Sequence, residues 1–436
     1  MKNYFVFLLT LISCISISAS AREVRGFNLI EDAGFFYDAN LKATKIHEKT
    51  QAQVTVDRAK LLGANHIILN PRATMLGPYS NDVRPLTKGI QVSKEYRSYL
   101  RLIEYIRSIG MTVGIRPILF VVNKEGKTPY IEKRTDGSEK IWWHGNIQPS
   151  DPNAWFESFR LYIEMYLRIA KKAQIEEFTI GAELYSMTVG IEDQWLAHPH
   201  GFPLQWEKIV DLVRGSLPKA RIMYDINFTD DSNVSGGLGN TGGELERWRY
   251  RLVDLGPPLD PGDRIRWEQD PNGKPIWDHL VRFWKKLDAV GIDMYRSLAS
   301  ESDEIPDNYR QLVSLLSSRS DRYALQLELA LAEIEDSLGE AKPVMFKEIG
   351  YKSVEKGFID PFSYEKQTTD VNLEHQAAAY EAFFKSFWEP EWTWFYGVSF
   401  WDISTSLSRS GELDAGFSPL GKPLTENVIK KYYLSQ

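Results

Sequence analysis

Cysteine is nearly absent: the chain of 436 residues has one, Cys14. Without a second thiol, an internal disulfide framework and a Cys-based zinc site are both excluded. Positive charge is not in excess either. The 52 Lys+Arg against 59 Asp+Glu give a formal net charge of −7, which removes the basic footprint that nucleic acid or an anionic membrane surface requires. No apolar run reaches the roughly 20 residues of a membrane-spanning helix. H-E-x-x-H and G-x-S-x-G are both missing, and no Pro/Ser-rich linker or low-complexity tract marks off a second domain. What remains is ordinary for a folded chain, 43% hydrophobic and 25% charged. The length suits two or three domains, or one (β/α)8 barrel with insertions. The 13 Trp, 21 Tyr and 21 Phe are core residues for the most part; rings of this kind also line sugar-binding clefts, and composition leaves that choice open.

The N-terminus sets the compartment. Met1 and Lys2 precede an apolar run over 4–17, and Ser18-Ala19-Ser20-Ala21 supplies a small-residue cleavage site. Residues 1–21 therefore read as a signal peptide, too short for a membrane span, leaving 22–436 as one catalytic domain without a thiol. The alternative is that Leu11-Ile12-Ser13-Cys14 is a lipobox and Cys14 a lipid-anchored first residue. Either reading exports the protein, to the periplasm or beyond.

From residue 24 onward, apolar β-rich runs alternate with helical patterns. The runs fall at 24–30, 66–70, 111–120, 177–180, 220–228, 287–292, 343–349 and 398–401. Helices are predicted at 51–62, 94–109, 151–173, 204–217, 277–286, 306–338, 372–388 and 425–433. The third of these opens with Asp151-Pro152, a capping residue followed by a proline in the first turn, and carries Trp155, Phe156, Phe159, Tyr162, Ile163 and Tyr166 on one stripe. Eight β-then-α units predict an α/β fold: a single closed (β/α)8 TIM barrel. Two stretches are long and polar, 123–149 with Trp142-Trp143-His144, and 229–272, rich in Gly, Pro and Asp. Both follow strands, which in a barrel places them on the C-terminal face where active sites are built.

Three motifs carry little. Residues 237–242 form a G-x-G-x-x-G, but no strand directly precedes it and no helix is evident after it, so a flexible loop is the better reading. His198 and His200 have a spacing that zinc can use, without a third ligand. Asn227-Phe228-Thr229 and Asn233-Val234-Ser235 are glycosylation sequons only in a eukaryotic secretory pathway.

Two carboxylates carry more. Glu183 ends the fourth apolar strand, in Phe178-Thr179-Ile180-Gly181-Ala182-Glu183, and Glu348 ends the seventh, in Val344-Met345-Phe346-Lys347-Glu348. Either alone is ordinarily a solvated strand edge. In a barrel, however, strand ends converge on one mouth, and two carboxyls flanking a bond are what glycoside hydrolysis needs.

Glutamates ending strands four and seven resemble the large clan of retaining (β/α)8 glycosidases. More narrowly, the chain resembles glycoside hydrolase family 113, whose characterised members are β-1,4-mannanases. The matching stretches are Trp143-His144-Gly145-Asn146-Ile147, Asp151-Pro152-Asn153-Ala154-Trp155-Phe156-Glu157-Ser158, Ile180-Gly181-Ala182-Glu183-Leu184, Gly291-Ile292-Asp293-Met294-Tyr295, Glu348-Ile349-Gly350-Tyr351 and Phe400-Trp401-Asp402, in that order. One departure concerns the residue before the first glutamate. Asn across much of the clan and Thr in many family members, it is Ala182 here, which removes a polar contact beside the cleaved bond. Ile118 follows Arg116-Pro117 where a polar residue is frequent.

The resemblance implies double displacement, with Glu348 as nucleophile and Glu183 as acid/base, their carboxyls roughly 5–5.5 Å apart. Glu183 then requires a raised pKa while Glu348 stays ionised. Tyr295 is expected to orient Glu348 and Trp401 to floor the sugar site, both being at strand ends. Trp142, Trp143 and His144 are expected to wall the cleft, and Arg116 and Asn70 to contact hydroxyls. No metal or organic cofactor is called for. The expected partner is a polysaccharide or oligosaccharide, most naturally of the β-1,4-mannan type. Two alternatives stay open: a glycosidase for another β-linked glycan, and a non-catalytic carbohydrate-binding barrel.

Overall fold

The computed structural model describes residues 23–31, 49–87, 89–191, 195, 197–231, 234, 242–257, 273–363 and 370–435. Residues 1–21, Cys14, Asn233 and the run 237–241 lie outside them. Eight parallel strands close a barrel: β1 Val24–Ile30, β2 His66–Leu69, β3 Thr112–Ile115, β4 Glu177–Ala182, β5 Arg221–Phe228, β6 Ala289–Met294, β7 Val344–Glu348 and β8 Phe395–Ser404. Each pairs with its neighbour in sequence, and β1 pairs with β8 (Val24 opposite Gly397) to complete the ring. Strands buried on both faces have no polar face to show, which is why their sequences are near-continuous apolar runs.

Helices follow each strand: α1 Gln51–Leu61, α2 Ile90–Ser108, α3 Pro152–Ala173, α4 Pro203–Ser216, α5 Ile276–Lys286, α6 Tyr309–Leu338, α7 Leu373–Phe383 and α8 Pro423–Tyr433. Their ends are set by local chemistry. The Asp151 carboxylate accepts from Ala154 N at the start of α3, and Asn308 accepts from Gln311 N at the start of α6. Thr50 and Gln53 form a reciprocal cap on α1. The predicted stripe of α3 is buried as expected, with Trp155 and Phe159 stacked 4.9 Å apart. Among the described residues no helix is long and apolar enough to cross a membrane.

Three expectations need correction. The predicted third strand, 111–120, is two strands. Pro117 has no N–H to offer the ladder, so the chain leaves the barrel after Ile115 and resumes as Ile118–Val122 in a side sheet with Arg72–Leu76 and Arg84–Pro85. The stretch 123–149 is not an irregular loop but largely a hairpin, Tyr130–Lys133 paired with Glu139–Trp142, followed by a tight turn at His144–Asn146. Asp136-Gly137 makes its connection, with Gly137 at φ +85°, a Gly-demanding turn that overall polarity conceals. A helix, Gly243–Arg249, does follow the glycine-rich run, and the buried Glu244 side chain occupies its first turn where a phosphate would sit.

Candidate functional site

The ends of β3 to β8 bring the charged strand residues together. Arg116, directly after β3, turns into the barrel and is 1% exposed. All three of its donor nitrogens are taken by carboxylates: Nε by Asp225 at 2.5 Å, Nη2 by Asp293 at 2.7 Å and Nη1 by Glu348 at 2.5 Å. The fork shape of a guanidinium allows this, and a lysine could not span the three. Arg116 was expected to contact sugar hydroxyls; its donors instead hold the Glu348 carboxylate and two buried aspartates. Burial opposes its charge, but Asp293, Glu348 and Asp225 together hold its pKa above the ordinary range.

Glu348 has a second donor, the Tyr295 hydroxyl, 2.8 Å from Oε2. The backbone of Trp401 runs beside the residues that follow Glu348: its main-chain N–H donates to Ile349 O at 2.9 Å, and a Cβ on Gly350 would lie 2.0 Å from Trp401 O, so only glycine permits that approach. The Trp401 ring is half-buried.

Glu183 has different neighbours. His144 Nε2 lies 3.0 Å from Oε2, and Asn227 Nδ2 donates to Oε1 at 2.5 Å. The Glu183 backbone is left-handed, with φ +54°, an uncommon conformation for a non-glycine residue that is held by its N–H bond to Asp225 O at 2.8 Å.

The pKa directions are the reverse of those predicted. Burial pushes Glu183 up, but the hydrogen bond and charge of His144, the Asn227 amide and the charge of Arg116 outweigh it, and the net direction is down. Burial pushes Glu348 up, and the Glu183 charge adds to this; Arg116 and Tyr295 oppose without prevailing. Burial likewise raises Asp225 despite Lys347 and Arg116, and Asp293 despite Arg116. The cause is numerical: one guanidinium faces three carboxyls, whereas Glu183 faces an imidazole and an amide.

The remaining expected residues divide. His144 reaches the site. Half-buried Trp143 packs against it and Tyr185, with ring centroids 4.8 and 5.7 Å away. Trp142 is 1% exposed, with Lys140 Nζ 3.6 Å over its ring and its Nε1 donating to Glu132 at 2.7 Å. It packs the hairpin and offers no ring face to a sugar. Asn70 is buried, and its amide donates to Leu29 O and Ile68 O at 3.3 and 3.2 Å, tying β1 to β2. Among the described residues no cluster of His, Cys, Asp and Glu is placed to hold a metal ion.

Four residues of the site were not foreseen: Asp225, Asp293, Asn227 and Glu244. Asp225 and Asp293 did leave a signal, being acids inside apolar strands, where burial is costly without a partner. Asn227 reads in sequence only as a sequon, yet its amide nitrogen is committed to Glu183. Glu244 left none.

The sequence model of Glycoside Hydrolase Family 113 matches residues 38–201 and 271–422, well over half of the chain. The chain belongs to glycoside hydrolase family 113. Both glutamates, Arg116, His144, Asp293, Tyr295 and Trp401 fall inside the matched spans; Asp225, Asn227 and Glu244 fall in 202–270, between them. Among solved structures, a family 113 β-1,4-mannanase is similar over 95% of this chain and 100% of its own, at 18% identity and a TM-score of 0.57. The family 113 β-mannanase of Alicyclobacillus acidocaldarius, solved in complex with ManMIm, is similar over 96% and 99%, at 17% identity and a TM-score of 0.57. At these identities the likeness establishes the shared TIM-barrel fold. No curated protein sequence matches the chain.

Proposed function

We propose that this family 113 glycoside hydrolase cleaves a β-linked glycan of the β-1,4-mannan type with retention. Glu348 is the nucleophile and Glu183 the acid/base. The observation that carries the reading is the contrast in donors: a fixed cation and a phenol on Glu348, a titratable imidazole on Glu183. A nucleophile benefits from permanent donors that aim one oxygen; an acid/base benefits from a partner that can exchange a proton.

In the first step a Glu348 oxygen bonds to the anomeric carbon as the C–O bond to the leaving group breaks. The leaving oxygen takes the proton from Glu183. In the second, Glu183 removes a proton from water, the water oxygen bonds to the same carbon, and the ester to Glu348 is released. Trp401 supplies an apolar ring face under the sugar. The mannan-type substrate rests on family membership. Ala182 leaves the position before the acid/base without a polar contact, which is where a different preference would arise.

The test is hydrolysis of mannan, glucan and xylan, with product analysis and the anomeric configuration followed by proton NMR. Initial products of β configuration from mannan support the reading. An initial α anomer would refute retention, and preferential cleavage of glucan or xylan would refute the mannan assignment. We further propose that 22–436 is one exported catalytic barrel, on the strength of the segment 1–21. N-terminal sequencing of the mature protein checks this: a start at Arg22 fits free secretion, a start at Cys14 a lipoprotein.

A further inference from the structure

Glu244 opens the helix Gly243–Arg249 and is completely buried, next to the site but outside the residues that the family model matches. Donors converge on it. Tyr224 OH and Trp248 Nε1 reach Oε1 at 2.8 and 3.2 Å, and the backbone N–H of Asn227 reaches Oε2 at 3.1 Å. Two of these donors lead to Glu183. The Tyr224 hydroxyl accepts from the N–H of Leu184, the next residue in the chain, at 2.9 Å. The Asn227 side chain donates to the Glu183 carboxylate itself.

We propose that Glu244 and Asn227 are positioning residues for Glu183, supplied by the stretch 202–270 that lies between the family 113 spans. One buried carboxyl group thus steadies the left-handed backbone of Glu183 through Tyr224 and its side chain through Asn227. The amide of Asn227 is set by its bond to Glu183. A Cβ on Gly243 would stand 2.8 Å from its Oδ1, so the amide is closely packed, and turning it over would set oxygen against the Glu183 oxygen. Ala182, on the strand beside, offers no polar group to do the same. The inference rests on Glu183 being the acid/base.

The test separates positioning of an acid from general support of the fold. Wild type, Glu244→Gln, Asn227→Ala, Tyr224→Phe and Glu183→Ala are compared on aryl β-glycosides of the sugar selected by the polysaccharide panel. Each is assayed with a 2,4-dinitrophenol and a phenol leaving group. A good leaving group needs no proton, so a displaced acid is felt only with the poor one. Each positioning variant is expected to lose about tenfold or more in kcat/KM on the phenyl glycoside and less than about threefold on the dinitrophenyl one. Equal losses on both substrates, or no loss in Asn227→Ala, overturn the inference. Should Glu244→Gln fail to fold, Asn227→Ala and Tyr224→Phe decide the matter alone. If Glu183→Ala shows no dependence on leaving group while the wild type is active, the assignment of Glu183 falls, and the inference with it.

Discussion

Glu348 and Glu183 end two strands of one barrel, yet their surroundings come from different parts of the molecule. Those of Glu348 are barrel residues: Arg116 after β3, Asp225 in β5, Asp293 in β6 and Tyr295 after β6. Arg116, Asp225 and Asp293 are buried and paired through the guanidinium, and half-buried Tyr295 adds a neutral hydroxyl. Those of Glu183 are neutral donors or a titratable ring, brought in by the turn after the hairpin and by the end of β5. The comparison separates what is rigid from what can vary. A buried ion cluster must be complete, because removing one member leaves the others unpaired in a low-dielectric interior. The donors on Glu183, an imidazole from a turn and an amide from the end of β5, are single hydrogen bonds that can be lost without stranding a charge.

The largest test of this difference is Glu348→Ala, which should lower turnover by roughly 10⁴-fold or more on every substrate, since no other group can form the intermediate. Steady-state rates on activated and unactivated glycosides check it, and appreciable activity on either would break the assignment. Glu183→Ala should cost about 10²–10⁴-fold on polysaccharide and far less on a dinitrophenyl glycoside. Added azide should restore turnover and yield a β-glycosyl azide. An α-azide from the Glu183 variant, with a β-azide from the Glu348 variant, would exchange the two roles.

Arg116→Lys probes the ion cluster. One ammonium cannot serve three carboxylates, so stability should fall by about 3–5 kcal/mol in urea unfolding, with activity falling too. An unchanged midpoint would mean that the cluster is not the rigid half of the comparison. His144→Gln probes the other half through pH. His144 draws the Glu183 pKa down, so its loss lets that pKa rise. Glu183 works as an acid only while protonated; the alkaline limb of kcat/KM should therefore move to higher pH. An unmoved limb would show that the imidazole does not govern the acid. Trp142→Phe should be the smallest change, leaving kcat/KM within about twofold, because the ring packs under Lys140 and away from the sugar. A loss confined to KM would return Trp142 to the cleft.

Much of this arrangement was legible in the chain. The eight β-then-α repeats have periods that backbone geometry enforces locally, and both glutamates stand at strand ends that any closed barrel must bring together. Tyr295, whose hydroxyl reaches Glu348, could be placed by the same rule. Arg116 could be placed but not understood: a strand-end cation reads alike whether it faces hydroxyls or carboxylates, and its partners are over 100 residues away in sequence.

Sequence by itself determined the barrel, the ends of its helices and the residues available at its mouth, because periodicity, caps and turn chemistry act over a few residues. Tertiary structure alone decided how those residues are used. The hairpin turned Trp142 inward and His144 toward Glu183, and one helix end set Glu244 behind Asn227. The number of carboxyls around a single guanidinium reversed the expected pKa directions. Burial and electrostatics depend on which distant groups meet in space, and no local pattern records that meeting.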